Sequence, residues 1–157
     1  MFIFSIKTSK RKILLILFAV SLAVLACFFF MQKNNKTTIN SPIGKYTLCV
    51  KDNDSRVQFL KQFGWEVNPE PIEVSQVIIP SIFNETYEKY NNIQKGQGLN
   101  LAKYKESPCT RYTYQILNYK NYPGAVRANI LVLNNKVIGG DICSTELNGF
   151  IHGFKPE

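Results

Sequence analysis

An unbroken apolar run, residues 13–31, is the feature that most constrains what this chain can fold into. Its nineteen residues include no charge, no proline and no glycine, and only Ser21 is polar. A helix of about 20 such residues crosses the ~30 Å hydrocarbon core of a bilayer. The run predicts one uncleaved transmembrane helix over 13–31, a signal-anchor, because no second run of that length follows.

The basic residues around this run predict its direction, because positive charge beside a membrane helix tends to stay in the cytoplasm. Four basic residues lie in segment 1–12 and two lie just after the run; they are Lys7, Lys10, Arg11, Lys12, Lys33 and Lys36. We therefore expect a single-pass protein of the cell membrane. Its N-terminus would be cytoplasmic and its C-terminal domain extracytoplasmic.

Two alternatives for the N-terminal run stay open. A cleaved signal peptide usually has a shorter apolar core, of about 7–15 residues, followed by a small-residue cleavage site. The stretch Val24-Leu25-Ala26-Cys27 loosely resembles a bacterial lipobox, in which Cys27 would be lipidated, although three phenylalanines follow it directly. Otherwise Cys27 is an ordinary apolar residue of the membrane segment. All three interpretations place the remainder of the chain outside the cytoplasm.

The net charge of +8 is concentrated at the N-terminal end. Residues 1–43 contain six basic residues and no acidic one, whereas residues 44–157 contain thirteen basic and eleven acidic residues. A nucleic-acid-binding domain needs clustered Lys and Arg to replace the counterions of phosphates. The charges after residue 43 are interspersed, so we expect no nucleic-acid partner.

Three cysteines follow the membrane run, and outside the cytoplasm a disulfide can persist. We predict a Cys109–Cys143 bridge, because the strands that carry these residues read as neighbours, and this leaves Cys49 unpaired. Two buried free thiols are the alternative. The chain has one His and no CxxC pair, so we expect no metal site and no cofactor.

The rest of the chain divides into a polar linker over 32–43 and one domain over 44–157. A helix is predicted over 54–63, with Asp52 or Asp54 as its N-cap and Gly64 after its end. A second helix is predicted over 82–95, which Ser81 would cap and Gly96 and Gly98 would end. Apolar residues recur at helical spacing in both.

The remaining apolar stretches of the domain predict strands. Asn134-Asn135 reads as a two-residue hairpin turn, since Asn tolerates positive φ. The predicted strands are Tyr46–Val50, Trp65–Val67, Ile72–Ile79, Thr110–Tyr119, Ala125–Leu133 and Lys136–Cys143. The fold class is therefore α+β, with two helices packed on one face of an antiparallel sheet that ends in a three-strand meander.

The residues Asp141, Glu146 and His152 are the candidates for a catalytic acid–base site, because a carboxylate can orient an imidazole. The chain has no second His and no GxSxG motif, and a Cys143 nucleophile beside His152 would be poorly protected outside the cell. The structural alternative is a glycine bulge at Gly139-Gly140 and a packed His152.

A small anion patch is a further possibility. Arg111 and Arg127 fall on neighbouring predicted strands, and Lys120 lies between them in the sequence. Cross-strand pairing of an arginine with Glu73 or another acidic residue is the alternative.

Several stretches of the domain resemble one bacterial family. They are RVQFLKQFGWEV at 56–67, YNNIQKGQG at 90–98, VIGGDICS at 137–144 and GFIHG at 149–153. Together they resemble the domain of unknown function 4830 family over about residues 55–154. The resemblance implies small proteins of Gram-positive bacteria with an N-terminal membrane segment. It implies no activity, cofactor or catalytic residue, although Asp141 and His152 fall within the motifs and Cys49 falls outside.

We expect from these features a membrane-tethered domain that binds a protein or a cell-envelope component, rather than an enzyme. The alternative is a small hydrolase or metal-assisted enzyme that uses Asp141, Glu146 and His152. A third possibility is a structural or inhibitory module whose last strands, around Asn134-Asn135, pair with the edge of a partner.

Overall fold

A computed structural model describes residues 16–22, 25 and 38–156, and the chain forms two compact units, Met1–Asn35 and Lys36–Glu157. In the first unit, residues 16–22 are helical and exposed. Among the described residues, no helix is both long enough and apolar enough to cross a bilayer. Segment 1–12, Cys27 and most of the predicted membrane helix 13–31 lie outside the described residues.

The second unit is built on a five-stranded antiparallel sheet whose strands follow one another in chain order. The three-strand meander predicted from the sequence is therefore correct, and it is longer by one strand on each side. The strands are β3 (Glu73–Ile78), β4 (Pro108–Gln115), β5 (Val126–Leu133), β6 (Lys136–Ser144) and β7 (Ile151–His152).

A separate two-stranded hairpin precedes this sheet, formed by β1 (Thr38–Ser41) and β2 (Gly44–Thr47). The predicted linker over 32–43 is therefore wrong from Thr38 onward, while residues 32–37 lie outside the described residues. β1 has polar residues at both exposed and half-buried positions, so its sequence lacks the alternation of apolar and polar residues that would have predicted a strand. Pro42 and Ile43 form the turn, and Gly44, whose φ is +122°, follows it as the first residue of β2.

Helix α1 (Asn53–Lys61) confirms the first predicted helix. Asp52 caps it, since one oxygen of its carboxylate accepts the backbone N–H of Ser55 at 2.8 Å. The Ser55 hydroxyl oxygen in turn accepts the backbone N–H of Asp52 at 2.9 Å, which completes a reciprocal capping box. Gly64 follows with a φ of +86°, as a residue just past a helix end requires.

Helix α2 (Glu85–Gly96) confirms the second predicted helix but begins three residues later than expected. The N-cap is Asn84 and not Ser81, because the Asn84 side chain accepts the backbone N–H of Tyr87 at 2.9 Å. The sequence analysis named only Ser81, although Asn84 also has the side-chain oxygen that a cap needs. A 3₁₀ turn, Leu101–Tyr104, follows α2.

The two helices lie on opposite faces of the sheet, so the expectation that both cover one face is wrong. Phe59 of α1 belongs to the apolar cluster that contains Ile130, whereas Tyr87 of α2 packs with the cluster that contains Leu131. Ile130 and Leu131 are consecutive in β5, and consecutive residues of a strand point to opposite faces. We call the α1 side the first face and the α2 side the second face.

The predicted β5–β6 turn is present, and the bulge that was the structural alternative at Gly139-Gly140 lies one residue earlier, at Ile138. Asn134 and Asn135 join β5 to β6 with φ values of 50° and 60°, the positive values that a type I′ hairpin needs. The register then shifts between Leu131 and Val132, and Gly140 has a φ of +153°. A side chain at Gly140 would collide with the Asn129 carbonyl oxygen and the Phe154 ring.

The predicted Cys109–Cys143 disulfide is wrong, and Cys49, Cys109 and Cys143 are free cysteines in the part of the chain that the structure describes. Cys109 lies on β4 and Cys143 on β6, and β5 separates the two strands. Strands are ~4.8 Å apart, so two such spacings already exceed the ~7 Å limit between bridged Cα atoms. The two cysteines also lie at opposite ends of their strands.

Two buried glutamines join the end of α2 to the outer edge of β6 at Gly140. The Gln94 side-chain oxygen accepts the Gly140 N–H at 2.9 Å, and the Gln97 amide donates to the Gly140 carbonyl at 2.9 Å. The Gln97 oxygen also accepts the Phe154 N–H at 2.8 Å. This glutamine clamp, Gln94 and Gln97, replaces strand pairing where β7 is too short to supply it.

Candidate functional site

The second face of the sheet carries an open polar groove beyond the end that α2 and the 3₁₀ turn cover. Near the covered end the strands present apolar residues such as Leu131 and Ile138. Beyond them the same face turns polar and encloses a cavity of about 280 Å³. The groove is lined by residues of four neighbouring strands and of the chain after β6: Glu73, Arg111, Thr113, Arg127, Asn129, Cys143, Ser144 and Thr145.

A row of hydrogen bonds crosses the floor of the polar groove. Thr113, Asn129 and Asp141 are directly opposite one another on β4, β5 and β6. The Thr113 hydroxyl donates to the Asn129 oxygen at 2.8 Å, and the Asn129 amide donates to Asp141 at 2.9 Å. Tyr90 of α2 donates its hydroxyl to the other Asp141 oxygen at 2.8 Å. These bonds fix the side chains before any ligand arrives.

Burial dominates the electrostatics of Asp141. Removal of its carboxylate from water raises its pKa above the ordinary value, and the hydrogen bonds from Asn129 and Tyr90 oppose that rise. Burial also raises the pKa of Tyr90 well above its usual range, and the neighbouring Asp141 charge adds to this. The tyrosine therefore stays a hydrogen-bond donor at any physiological pH.

Arg111 and Arg127 supply the positive charge of the groove. Arg111 forms an ion pair with Glu73 at 2.6 Å, so the cross-strand pairing considered from the sequence is present. Arg127 lies on the next strand, opposite Gln115 on one side and Cys143 on the other, and lines the same groove. Lys120, grouped with them in the sequence, lines a different cavity, with Phe63 and Trp65.

Cys143 is unsuited to nucleophilic chemistry. Burial and the nearby Asp141 charge raise the pKa of its thiol to about 11, and its sulfur accepts the Asn129 amide at 3.4 Å. The reactive form of cysteine is the thiolate, so a thiol that stays protonated at neutral pH is inert.

The structure does not bring Asp141, Glu146 and His152 together. His152 is directly opposite Ile142 across the β6–β7 pair, so it shares the first face with Ile142. Asp141 precedes Ile142 and points to the second face. Glu146 is exposed in the loop that follows β6.

His152 belongs instead to an aromatic cluster of the first face. Its Nε2 is 3.1 Å from the Tyr119 hydroxyl, and its ring is stacked 5.5 Å from that of Phe150. Trp65 and Tyr119 are stacked at 5.5 Å. His152 therefore has the packed role that was the structural alternative for it. Among the described residues, no three His, Cys, Asp or Glu side chains form a group that could hold a metal ion.

A comparison with known families matches residues 59–142 to the model described as Domain of unknown function (DUF4830). The chain belongs to the DUF4830 family. This confirms the resemblance drawn from the sequence motifs. No curated protein and no solved structure matches the chain. The family description assigns no activity, so the chemistry of this DUF4830 domain has to be argued from its own residues.

Three residues of the hydrogen-bonded row in this DUF4830 domain were missed by sequence reasoning: Tyr90, Thr113 and Asn129. A signal for two of them is present in the sequence. Thr113 lies two residues after Arg111, and Asn129 lies two residues after Arg127, so each strand places two polar residues on one face. Their apolar neighbours point to the other face, where the main core lies. Tyr90 is the exception, because an aromatic residue on a helix gives no sign that its hydroxyl is used.

Two residues that line the groove each have a buried side-chain atom without a hydrogen-bond partner within the described residues of the DUF4830 domain, although the Ser144 side chain, opposite Val126, lies on the first face. The two atoms are Arg111 Nε and Ser144 Oγ. A buried polar atom without a hydrogen bond costs about 1–3 kcal/mol.

Proposed function

We propose that residues 44–157 act as a binding domain whose polar groove holds a small anionic group, a carboxylate or a phosphate, of a protein or cell-envelope component. The observation that carries this proposal is the convergence of the Arg111 and Arg127 side chains in one groove. The guanidinium group is a planar set of donors that matches the two oxygens of a carboxylate or phosphate.

The rigidity of the groove supports binding over turnover. Arg111 is held by Glu73, and Asn129 is held between Thr113 and Asp141, so few side chains need to be ordered when a ligand arrives. Asp141 and Cys143 are the groove's candidate catalytic groups. The first is buried under two hydrogen bonds and the second has a protonated thiol, so neither favours proton transfer or nucleophilic attack.

We also propose that residues 13–31 tether this domain to the cell membrane and leave it on the outer side. The uncharged apolar run and the basic residues before it support this. Protease added to intact cells should digest the C-terminal domain. Digestion only after lysis would reverse the proposed topology.

The binding proposal is tested on the full chain in detergent micelles, with inorganic phosphate and acetate as probes at constant ionic strength. A ligand that binds only the folded chain stabilises it, by about 2.7 kcal/mol at one hundred times its Kd. We expect at least one probe to raise the free energy of unfolding, as followed by the fluorescence of Trp65, the single tryptophan.

The matched pair of variants is Arg127→Gln and Lys120→Gln. Each removes one positive charge, but only Arg127 lines the polar groove. A hydrogen bond to a charged group contributes about 1.5–3 kcal/mol, so Arg127→Gln should weaken probe binding by about 10–100-fold. Lys120→Gln should leave it unchanged. Equal losses in the two variants, or no stabilisation of the unaltered chain by either probe, would refute an anion site in the groove.

A further inference from the structure

Strand β3 forms an open edge of the five-stranded sheet. It pairs with β4 on one side, and no strand among the described residues pairs with its other side. An exposed strand edge presents a row of unpaired N–H and C=O groups that another strand can use. Pro71 and Pro80 flank the strand and limit the usable edge to the residues between them.

The pairing with β4 determines which backbone groups face outward. Ile79 donates its N–H to Ser107 and accepts from Glu106, so its backbone faces β4. Backbone direction alternates along an antiparallel strand, so the N–H and C=O groups of Val74, Gln76 and Ile78 point away from β4. The partner of Ile78 is Pro108, which has no N–H to donate, as this alternation requires.

The side chains of the same three residues lie uncovered on the first face, and two of them are apolar. Val74 is opposite Tyr112, which packs against the first-face core, so Val74, Gln76 and Ile78 lie on that face. The relative exposure of Val74 is 54% and that of Ile78 is 70%. Gln76 lies between them and donates one amide hydrogen to Thr110 at 2.9 Å, which leaves its oxygen and second hydrogen available.

We propose that β3 pairs with β3 of a second copy of this chain, antiparallel and centred on Gln76, to make a continuous ten-stranded sheet. In this register Val74 is opposite Ile78 of the second copy, and Ile78 is opposite its Val74. The two Gln76 side chains are opposite each other. All the outward N–H and C=O groups of these three residues then find partners, because outward residues face outward residues.

The sequence of the edge favours a second copy over an unrelated strand. Its outward-facing positions read apolar, polar, apolar, which is its own complement when the direction is reversed. The two Glu73 residues lie at opposite ends of the pair, so no like charges are directly opposed. Six residues bury less than the ~800 Å² per partner of a standard interface, so we expect a weak dimer with a Kd above about 1 µM.

This proposal differs from the edge pairing expected from the sequence, which placed the pairing strands around Asn134-Asn135. Those residues form the turn between two strands in the interior of the sheet. The open edge is on the strand that the sequence flanks with prolines. The proposal does not depend on the anion groove.

Cysteine trapping in the full chain tests the register. Opposed residues of a hydrogen-bonded antiparallel pair have Cα atoms ~5.5 Å apart, within disulfide reach. Gln76→Cys alone should therefore form a disulfide dimer under a mild oxidant. Val74→Cys alone and Ile78→Cys alone should form no disulfide-linked dimer through the new cysteine, because that cysteine would be four residues, ~13 Å, from its counterpart in the second copy. A mixture of the Val74→Cys chain and the Ile78→Cys chain should form a disulfide dimer that contains one of each. The unaltered chain gives the background from its own cysteines.

A second pair of measurements tests the interaction without cross-linking. The double variant Val74→Lys/Ile78→Lys places like charges opposite each other twice, and both positions are exposed enough to leave the fold unchanged. The unaltered chain should show concentration-dependent dimers in analytical ultracentrifugation, and the double variant should remain monomeric with an unchanged far-UV spectrum. Trapping of Val74→Cys alone as efficiently as Gln76→Cys, or a monomeric unaltered chain at 1 mM, would overturn the proposal.

Discussion

The glutamine clamp gives the sharpest stability prediction. Gln97 is 1% exposed and is the hydrogen-bond partner of two backbone groups, the Gly140 carbonyl and the Phe154 N–H. Gln97→Ala leaves both groups buried without a partner. Each such group costs about 1–3 kcal/mol, so the variant should lose about 2–6 kcal/mol of unfolding free energy. A domain of this size has only about 5–15 kcal/mol in total.

Gln62 is the matched control for this experiment. Its side chain also bridges a backbone pair, since its oxygen accepts the Thr47 N–H at 2.8 Å and its amide donates to the Thr47 carbonyl at 3.1 Å. Gln62 is exposed, so water replaces these bonds when it is removed. Gln62→Ala should cost about 1 kcal/mol or less. The two variants share the chemical change and differ in burial.

The assay is equilibrium denaturation of the full chain in urea, followed by the fluorescence of Trp65. Trp65 is buried and donates its indole N–H to the Phe154 carbonyl at 2.6 Å, so it reports on the segment that the clamp holds. The denaturant midpoint should fall far more in Gln97→Ala than in Gln62→Ala. Equal losses would show that burial does not determine the value of these bonds, and the reasoning would be wrong.

Four further predictions concern the groove and its surroundings. Because burial raises the pKa of Asp141, the folded chain retains a proton that the unfolded chain releases above about pH 3.8, so this contribution to stability is lost as the pH rises through that window. Asp141→Asn should remove the loss, and urea titrations over a pH series measure it; parallel pH curves would contradict it. Gly140→Ala should cost about 1–3 kcal/mol more than Gly44→Ala, because a Cβ meets neighbouring atoms only at Gly140; similar midpoints would refute this. A non-reduced peptide map should contain no Cys109–Cys143 link. Cys143 should also be alkylated slowly at pH 8, where a thiol of pKa about 11 is about 0.1% thiolate; rapid native alkylation would contradict it.

The parts of the fold that were predicted correctly depend on local rules. The α1 cap needs only Asp52 and Ser55, three residues apart, and the β5–β6 turn needs only two residues that tolerate positive φ. The meander follows because consecutive apolar stretches joined by short turns pair with each other. None of these features depends on knowing where a distant part of the chain lies.

The errors have a common physical origin, which is that they concern long-range placement. The cysteine pairing failed because spacing along the chain does not reveal that β5 lies between the two strands. The face of the sheet that each helix covers depends on the path that the long connections take across the sheet. The glutamine clamp could not be predicted from the sequence for a related reason. Glutamine is usually a solvated surface residue, and the burial of Gln94 and Gln97 depends on their hydrogen bonds to the distant residues Gly140 and Phe154.

The candidate site was foreseen in part. Arg111, Arg127 and the alternative pairing with Glu73 were identified from the strand pattern, and all three residues line the polar groove. Asp141 is adjacent to that groove, but His152 is on the other face of the sheet. A shift of one residue along a strand places a side chain on the opposite face of the sheet. Because a bulge introduces such a shift, the sequence does not determine which face a residue beyond a bulge occupies.

The order of strands has a consequence for how the chain matures. Every strand of the large sheet pairs with the next strand along the chain, so we expect each pair to form once its second strand has emerged during synthesis, with β3 and β4 separated by α2 and the 3₁₀ turn. The contacts of Phe154 are different, because they reach back to Gln97 and to Trp65. We therefore expect a nascent chain to form most of its sheet before the contacts of Phe154 are made. Those contacts need a residue made almost ninety positions after the tryptophan it contacts.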